Sequence, residues 1–176
     1  MIELQILSKK HIKNIAFIHL NSKQKAEKDI VPDAYLDALT LSEFEHNWTN
    51  WIDEVDGYIA FIEDQPAGFI TFGNVRTRPP GDQGIIPLYS AEIYALYVLP
   101  KFWRAGIGTT LLKAAMKNLA EAKHNGVVLW VLKNNKSSVD FYLEHDGLRV
   151  GKQKVEMGGR MVVESAIAWR KLSKFN

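Results

Sequence analysis

The chain contains, at residues 91–112, the stretch AEIYALYVLPKFWRAGIGTTLL. Residues 91–99 are mostly apolar and predict a strand. Residues 106–122 predict a long helix, because their apolar side chains recur every three or four positions. A short basic loop with two glycines, Gly106 and Gly108, joins the strand to the helix.

This loop and the helix that follows it are suited to binding a phosphate group. The first N–H groups of a helix lack partners within the helix, and the helix dipole favours an anion there. Gly106 and Gly108 allow the backbone to approach a ligand closely, while Lys101 and Arg104 supply positive charge. The stretch therefore predicts a pyrophosphate site.

Two common nucleotide-binding motifs do not fit these residues. A P-loop needs a Lys followed by Ser or Thr after its second glycine, but here Thr109 and Thr110 follow directly. A dinucleotide-binding fingerprint needs a third glycine where this chain has Leu111, and an early strand–helix–strand unit that is not predicted here.

Residues 92–108 resemble the acetyl-CoA motif of the GNAT superfamily of N-acetyltransferases. That motif consists of Gln or Arg, two residues, Gly, one residue, and then Gly or Ala. Trp103 stands where Gln or Arg is usual, and Arg104 follows it. Because the departure concerns one side chain, it leaves the backbone site at 104–109 unaffected.

A second stretch also resembles this family, and it follows the first in the expected order. The family has Asn-x-x-Ala-x-x-Phe-Tyr followed by Gly-Phe, and the matching residues here are Asn135, Ser138, Phe141, Tyr142, Gly147 and Leu148. The resemblance implies acetyl-CoA as co-substrate. It also implies a cofactor site formed by Val98, Trp103, Arg104, Ala105, Gly106, Ile107, Gly108, Thr109, Asn135 and Ser138.

The same resemblance implies direct attack of an amine on the thioester carbonyl. Such an amine has a pKa of about 10, so it needs a base or desolvation to become a nucleophile. Glu92 occupies the strand position at which several family members keep a Glu that acts through water. Tyr142 matches the usual partner of the departing sulfur. Glu92 and Tyr142 are therefore the expected catalytic residues.

The remaining pattern predicts an α/β (α+β) fold with a GNAT-type mixed, centrally splayed β-sheet flanked by helices. A strand at 2–6 and hairpins at 57–72 and 148–169 surround the central strand–helix–strand unit. Two early helices are expected, one after Ser8 and one after Pro32, followed by a third that Ser42 and Glu45 would cap. The whole chain, residues 1–176, is expected to form one N-acetyltransferase domain.

A long loop is expected at 76–87, which contains three prolines and two glycines. The residues 127–132 predict a buried strand and 137–145 a helix. Trp48 and Trp51 lie on the apolar side of the third early helix, and one of them is a candidate for the wall of the acceptor site.

Composition limits the other functional classes. The absence of cysteine excludes disulfides and a Cys nucleophile, and the five histidines show no metal-ligand spacing, so no metal is expected. The net charge of +2 argues against a nucleic-acid partner, and no apolar run approaches membrane-spanning length. A cytoplasmic location is expected, and a homodimer is compatible with the resemblance.

The acidic residues are unevenly distributed. Residues 29–75 contain ten Asp and Glu residues and no Lys or Arg. Because a cleft lined by one sign of charge concentrates the opposite sign, this segment suggests a cationic acceptor such as a polyamine, another small molecule or a basic peptide amine. Two functions stay open at this point: an N-acetyltransferase acting on a primary amine, and a non-catalytic acyl-CoA-binding sensor or assembly domain.

Overall fold

The computed structural model describes residues 1–82 and 87–175, without the side chains of 173 and 174. The strands are β1 Ile2–Ile6, β2 Asp56–Ile62, β3 Gln65–Asn74, β4 Ala91–Val98, β5 Gly126–Leu132, β6 Leu148–Met157 and β7 Arg160–Arg170. The helices are α1 Ile12–Ala26, α2 Asp33–Asp37, α3 Leu41–Trp51, α4 Ile107–Glu121 and α5 Lys136–Glu144. Residues 83–86 of the predicted loop lie outside the described part.

The strands form one sheet in the order β1-β2-β3-β4-β5-β7-β6. All neighbouring strands are antiparallel except β4 and β5, which are parallel. These two pair only at Ala91–Val127 and Glu92–Val128, close to where both strands begin. The predicted mixed sheet that splays at its centre is therefore confirmed.

A β-bulge in β4 lies beside this opening. Thr71 of β3 is opposite Ala95, whereas the next residue, Phe72, is opposite Ile93, so Tyr94 is an extra residue on β4. A bulge bends its strand and increases the local twist. The bulge thus lies two residues beyond the last β4–β5 pair, where the strands part.

Alternate residues of β2 and β3 build apolar layers on the two faces of the sheet, because neighbouring strand side chains point to opposite sides. Ala60 and Ile70 belong to a buried cluster that includes the apolar face of α4, whereas Ile59 and Phe69 belong to one with α1 and α3. Helices on both faces therefore hold the sheet in place around the opening.

Two of the expected helix boundaries differ from the structure. The N-cap of α3 is Thr40, whose hydroxyl accepts from the Glu43 N–H at 3.3 Å, rather than Ser42 with Glu45. Both pairs have the capping-box spacing, so the sequence alone did not distinguish them. The helix predicted at 106–122 ends one residue earlier, at Glu121, and Lys123 beyond it takes the left-handed conformation with φ of 62°. Among the described residues, no helix is long and apolar enough to cross a membrane.

Candidate active site

The loop before α4 has the backbone of an anion site. Arg104 and Gly106 take positive φ values of 66° and 82°, which turn the chain sharply into the helix. The first helical hydrogen bond runs from the Thr110 N–H to the Gly106 carbonyl at 3.0 Å. The N–H groups of residues 107–109 precede that bond and are directed out of the helix end.

The two glycines of this loop serve different purposes. A Cβ added at Gly106 would meet no described atom within 4 Å, so glycine is needed there for its left-handed conformation and not for space inside the protein. A Cβ at Gly108 would lie 3.2 Å from the Phe141 ring, so this glycine permits close packing of α4 on α5. Of the two glycines predicted to allow a close approach to a ligand, Gly106 is the one with open space beside it.

Two predicted cofactor residues have side chains that bond within the protein. The Trp103 indole donates to the Val98 carbonyl at 2.7 Å, and the Ser22 hydroxyl donates to the same oxygen at 3.0 Å. The Thr109 hydroxyl lies 2.9 Å from Nε2 of His145. These contacts leave the backbone N–H groups, rather than the Trp103 and Thr109 side chains, as the donors that the loop offers.

A cavity of about 340 Å³, here called the gap cavity, lies where β4 and β5 part. Glu92 and Tyr142 both line it, as do Asn135 and Ser138. The Leu99 N–H donates to β3 at Ala67, so the preceding residue Val98 directs its backbone polar groups to the other side, toward the gap. The structure thus brings both predicted catalytic residues to one cavity.

The carboxylate of Glu92 is fixed by backbone. Its Oε2 accepts from the N–H groups of Arg76 at 2.7 Å and Thr77 at 2.9 Å, in the segment that follows β3. The side chain is buried, with 8% of its surface exposed. Both described hydrogen bonds fall on Oε2, so Oε1 is the oxygen that can meet a water or an amine in the cavity.

On the opposite wall, Tyr142 belongs to α5, whose N-cap is Asn135. The Asn135 side chain accepts from the Ser138 N–H at 3.2 Å. This residue of the second motif therefore caps and stabilises the start of α5. Tyr142 packs edge-on against Phe141 and Trp169. Burial raises the pKa of Tyr142, so its hydroxyl keeps its proton at neutral and mildly alkaline pH.

A second, larger cavity of about 960 Å³, here called the helix cavity, lies against α1 and α3. The two cavities share His19, Lys23, Tyr94 and Ala95 as lining residues. Aromatic side chains dominate the helix cavity wall: Tyr35, Phe44, Trp48, Trp51 and Tyr94. Trp48 and Trp51, the two candidates for the wall of an acceptor site, both line it.

The acids of residues 29–75 are placed differently from the expectation. Of the ten, all of which lie in the described part, Glu43 alone lines the helix cavity, and its carboxylate accepts from Thr40 in the helix cap. Asp53 pairs with Lys9 at the surface. The segment therefore does not build an acidic cleft around the cavity.

His19 occupies the junction of the two cavities and was not singled out in the sequence. The Trp48 indole donates to its Nδ1 at 3.3 Å, so the neutral ring must carry its proton on Nε2. Burial lowers the pKa of His19 to about 3, and the charge of Lys23 acts in the same direction. The sequence contains no signal for this buried, neutral state, because His19 is a lone histidine without metal-ligand spacing.

This neutral histidine makes stability depend on pH. Below a pH of about 6.5 the unfolded chain binds a proton at His19 that the folded chain does not, so the free energy of unfolding falls as the pH is lowered. Between pH 6.5 and 5 the loss from this residue should be about 2 kcal/mol. Urea unfolding of wild type and His19→Phe across this range should show a shallower pH slope in the variant. Equal slopes would contradict the buried, neutral state.

The comparison with known families gives the class of the protein. A sequence model of the acetyltransferase (GNAT) family matches residues 23–147, from α1 to the end of the second motif. This is well over half of the chain, and the fold and its splayed sheet agree with it. The chain belongs to the GNAT acetyltransferase family.

Individual relatives are consistent with this assignment. The uncharacterized N-acetyltransferase YuaI of Bacillus subtilis is 29% identical over 164 residues, which span 92% of this chain and 89% of YuaI. PaiA N-acetyltransferase from Thermoplasma acidophilum, solved in complex with coenzyme A, has a TM-score of 0.75 at 18% identity and covers 97% of this chain and 99% of its own. A ribosomal-protein-alanine N-acetyltransferase from Brucella melitensis has a TM-score of 0.71 at 18% identity, covering 96% and 99%. At these identities the solved structures support the fold.

Proposed function

We propose that this protein transfers an acetyl group from acetyl-CoA to a primary amine, by direct attack of the amine within a ternary complex. The observation that carries the proposal is the cavity between the parted strands, which Glu92 and Tyr142 both line. Acetyl-CoA would supply the activated acetyl thioester.

The backbone of residues 104–109 fits the pyrophosphate of this co-substrate. The N–H groups of Ile107, Gly108 and Thr109 point out of the helix end, and the exposed Arg104 adds positive charge. The surface beyond Gly106 is open, as a bound phosphate requires. Val98 directs its N–H into the gap, where it can bond to the pantetheine arm. Its carbonyl is already occupied by two donors.

Glu92 and Tyr142 would divide the proton chemistry. Glu92 takes a proton from the attacking amine, directly or through a water, while its Oε2 stays bonded to the backbone. As the new C–N bond forms and the C–S bond breaks, the Tyr142 hydroxyl donates a hydrogen bond to the departing sulfur. Because burial keeps the Tyr142 pKa high, a hydrogen bond is favoured over full proton transfer.

The alternative is a non-catalytic domain that binds acyl-CoA. It would use the same backbone site but has no need for polar side chains at the reacting carbon. The discriminating experiment is to incubate the protein with acetyl-CoA and a broad panel of amines while following the release of free thiol. Release with at least one amine supports the enzyme, whereas CoA binding without release by any amine supports the alternative.

The acceptor is the open part of this proposal. A polyamine or another polycation, which the acidic segment suggested, remains one candidate, although only Glu43 of that segment faces the helix cavity. The gap cavity offers other acids, Glu27 and Glu164, beside Glu92. Polyamines therefore belong in the panel together with amines of neutral and of anionic character.

The role of Tyr142 can be tested separately. Tyr142→Phe should lower kcat by about 30-fold while leaving KM for acetyl-CoA nearly unchanged, because the hydroxyl acts mainly in the transition state. Tyr58→Phe is the matched control, since its hydroxyl accepts from Asn118 outside both cavities. A kcat equal to wild type, with chemistry shown to limit turnover, would reject the role.

A further inference from the structure

The segment after β3 holds Arg76 at a defined position beside the active site. The Val75 N–H donates to the Ser90 carbonyl at 3.0 Å, and the Thr77 carbonyl accepts from the Trp130 indole at 3.1 Å. Between them, the Arg76 N–H donates to the Glu92 carboxylate at 2.7 Å. The backbone of Arg76 is therefore tied to the proposed base itself.

The side chain of Arg76 reaches the rim of the helix cavity. Its guanidinium carbon lies 3.9 Å from the centre of the Tyr94 ring and 4.5 Å from that of Trp51. Both rings line the helix cavity. Tyr94 is in turn held by a hydrogen bond from its hydroxyl to the Asn74 carbonyl at 2.5 Å. The Arg76 side chain also has a hydrogen bond with that of Tyr94. Stacking on aromatic faces restricts a guanidinium while leaving its other edge N–H groups free to donate.

The Arg76 guanidinium forms no ion pair with a described carboxylate. The ion pairs between described residues are those of Lys9, Lys23 and Lys117, each with its own carboxylate. Lys23, the lysine that lines both cavities, has both oxygens of Glu27 within 2.7 Å. Arg76 is thus a cation at this rim whose remaining guanidinium N–H groups are available for a ligand.

From these contacts we propose that the acceptor is a primary amine that also carries a carboxylate, and that Arg76 binds this carboxylate. The inference rests on the proposed function, because it concerns the acceptor of the same reaction. Arg76 would act at both ends of the acceptor. Its guanidinium holds the carboxylate at the rim, and its backbone N–H orients Glu92 toward the amine. The aromatic wall of the helix cavity accommodates the apolar body between them.

A purely structural role for Arg76 makes a different prediction. If its only function were to cover Trp51 and Tyr94, its loss would affect all amines alike and would act on kcat through the shifted Glu92. If it binds a carboxylate, its loss raises KM only for acceptors with that group. A polycationic acceptor would be repelled by Arg76 and would bind better without it.

The test compares wild type with Arg76→Gln on paired acceptors that differ only in the carboxylate. The pairs are the L-amino acids, the straight-chain ω-amino acids and simple dipeptides, each with its carboxamide, at saturating acetyl-CoA with thiol release as the readout. Wild type should prefer the acid of a pair. Arg76→Gln should raise KM for that acid by roughly 10- to 100-fold and leave KM for the carboxamide unchanged. Arg76→Lys should recover part of the loss, since it keeps the charge without the fork.

Arg78→Gln is the control, because Arg78 is an exposed cation two residues further on that has no place in the site. It should behave as wild type. Equal kcat/KM for both members of every pair in wild type, or an equal loss of kcat on both members in Arg76→Gln, would overturn the inference while leaving the acetyltransferase intact. CoA binding without thiol release by any amine would instead reject the proposed function, and the inference with it.

Discussion

Glu92→Gln should lower kcat at pH 7 by about 100-fold or more, which is the usual contribution of a positioned general base. The glutamine keeps the size of the side chain, and its oxygen can still accept from the N–H groups of Arg76 and Thr77. It cannot take a proton. The deficit should shrink as the pH approaches the amine pKa of about 10, because the free amine then forms without a base. A pH–rate profile with excess acceptor measures this.

A neighbouring carboxylate provides the control for this prediction. Glu164 lines the same gap cavity, and its Oε2 accepts from Gln153 at 2.8 Å. Glu164→Gln should retain the wild-type pH profile even if it alters acceptor affinity. If kcat below pH 8 fell in Glu164→Gln instead, Glu164 of β7 would be the base. An unchanged pH profile in both variants would assign the role of base to solvent.

Gly106→Asp should weaken CoA binding by about 100-fold. A carboxylate placed about 5 Å from the pyrophosphate costs about 3 kcal/mol at an effective dielectric constant of about 20. The backbone can tolerate the change, because Asp adopts the left-handed conformation more readily than most residues and a Cβ at this position meets no protein atom within 4 Å. Titration calorimetry with CoA gives the two dissociation constants directly.

Gly106→Asn separates charge from shape in this experiment. Asn has nearly the same size as Asp and the same tolerance of positive φ, but it is neutral. Its affinity for CoA should lie much closer to that of wild type. If Asp and Asn variants bound CoA equally well, the open side of Gly106 would not face the pyrophosphate, and the site at residues 104–109 would have to be placed elsewhere.

The fold could be predicted from the sequence to a large extent, because its decisive signals are local. The apolar period of α4 and the alternation of the hairpins each lie within a short segment, and the motif at 91–112 joins them. The N-cap of α3, in contrast, could not be chosen from the nearby sequence, because two pairs of residues fit the capping box equally well. Thr40 with Glu43 and Ser42 with Glu45 have the same spacing, and the choice depends on where Phe44 and Trp48 must lie to be buried on α1.

The residues of the candidate site could be proposed from the sequence where they belong to a motif, but not where they depend on contacts between distant segments. Glu92 and Tyr142 came from the strand and helix that carry the two motifs, and the structure brings them to one cavity. Arg76 could not be found in this way, because its proposed role depends on its contacts with Glu92, Tyr94 and Trp51. His19 likewise gained its neutral state from burial and from Trp48, which is 29 residues away in sequence.

Charge counted along the sequence was a poor guide to charge in space. Nine of the ten acids of residues 29–75 are exposed and the tenth, Glu45, is half-buried, so most of their carboxylates face solvent. Arg76, a cation at the rim without an ion pair among the described residues, follows that segment immediately and weighs against its overall charge. Recognition depends on the few groups that reach the cavity, whereas net charge acts through long-range attraction.

The parting of β4 and β5 also bears on how this protein avoids association through its sheet. Unpaired strand edges template the addition of foreign strands, and most proteins carry them at the periphery, where charges or prolines protect them. Here two further edges lie in the middle of the sheet. Side chains from α1, α5 and β7, including Lys23, Tyr142 and Glu164, close around them and leave about 340 Å³, which admits a slender ligand. The same walls that shape a binding cleft therefore shield two interior edges from other polypeptides.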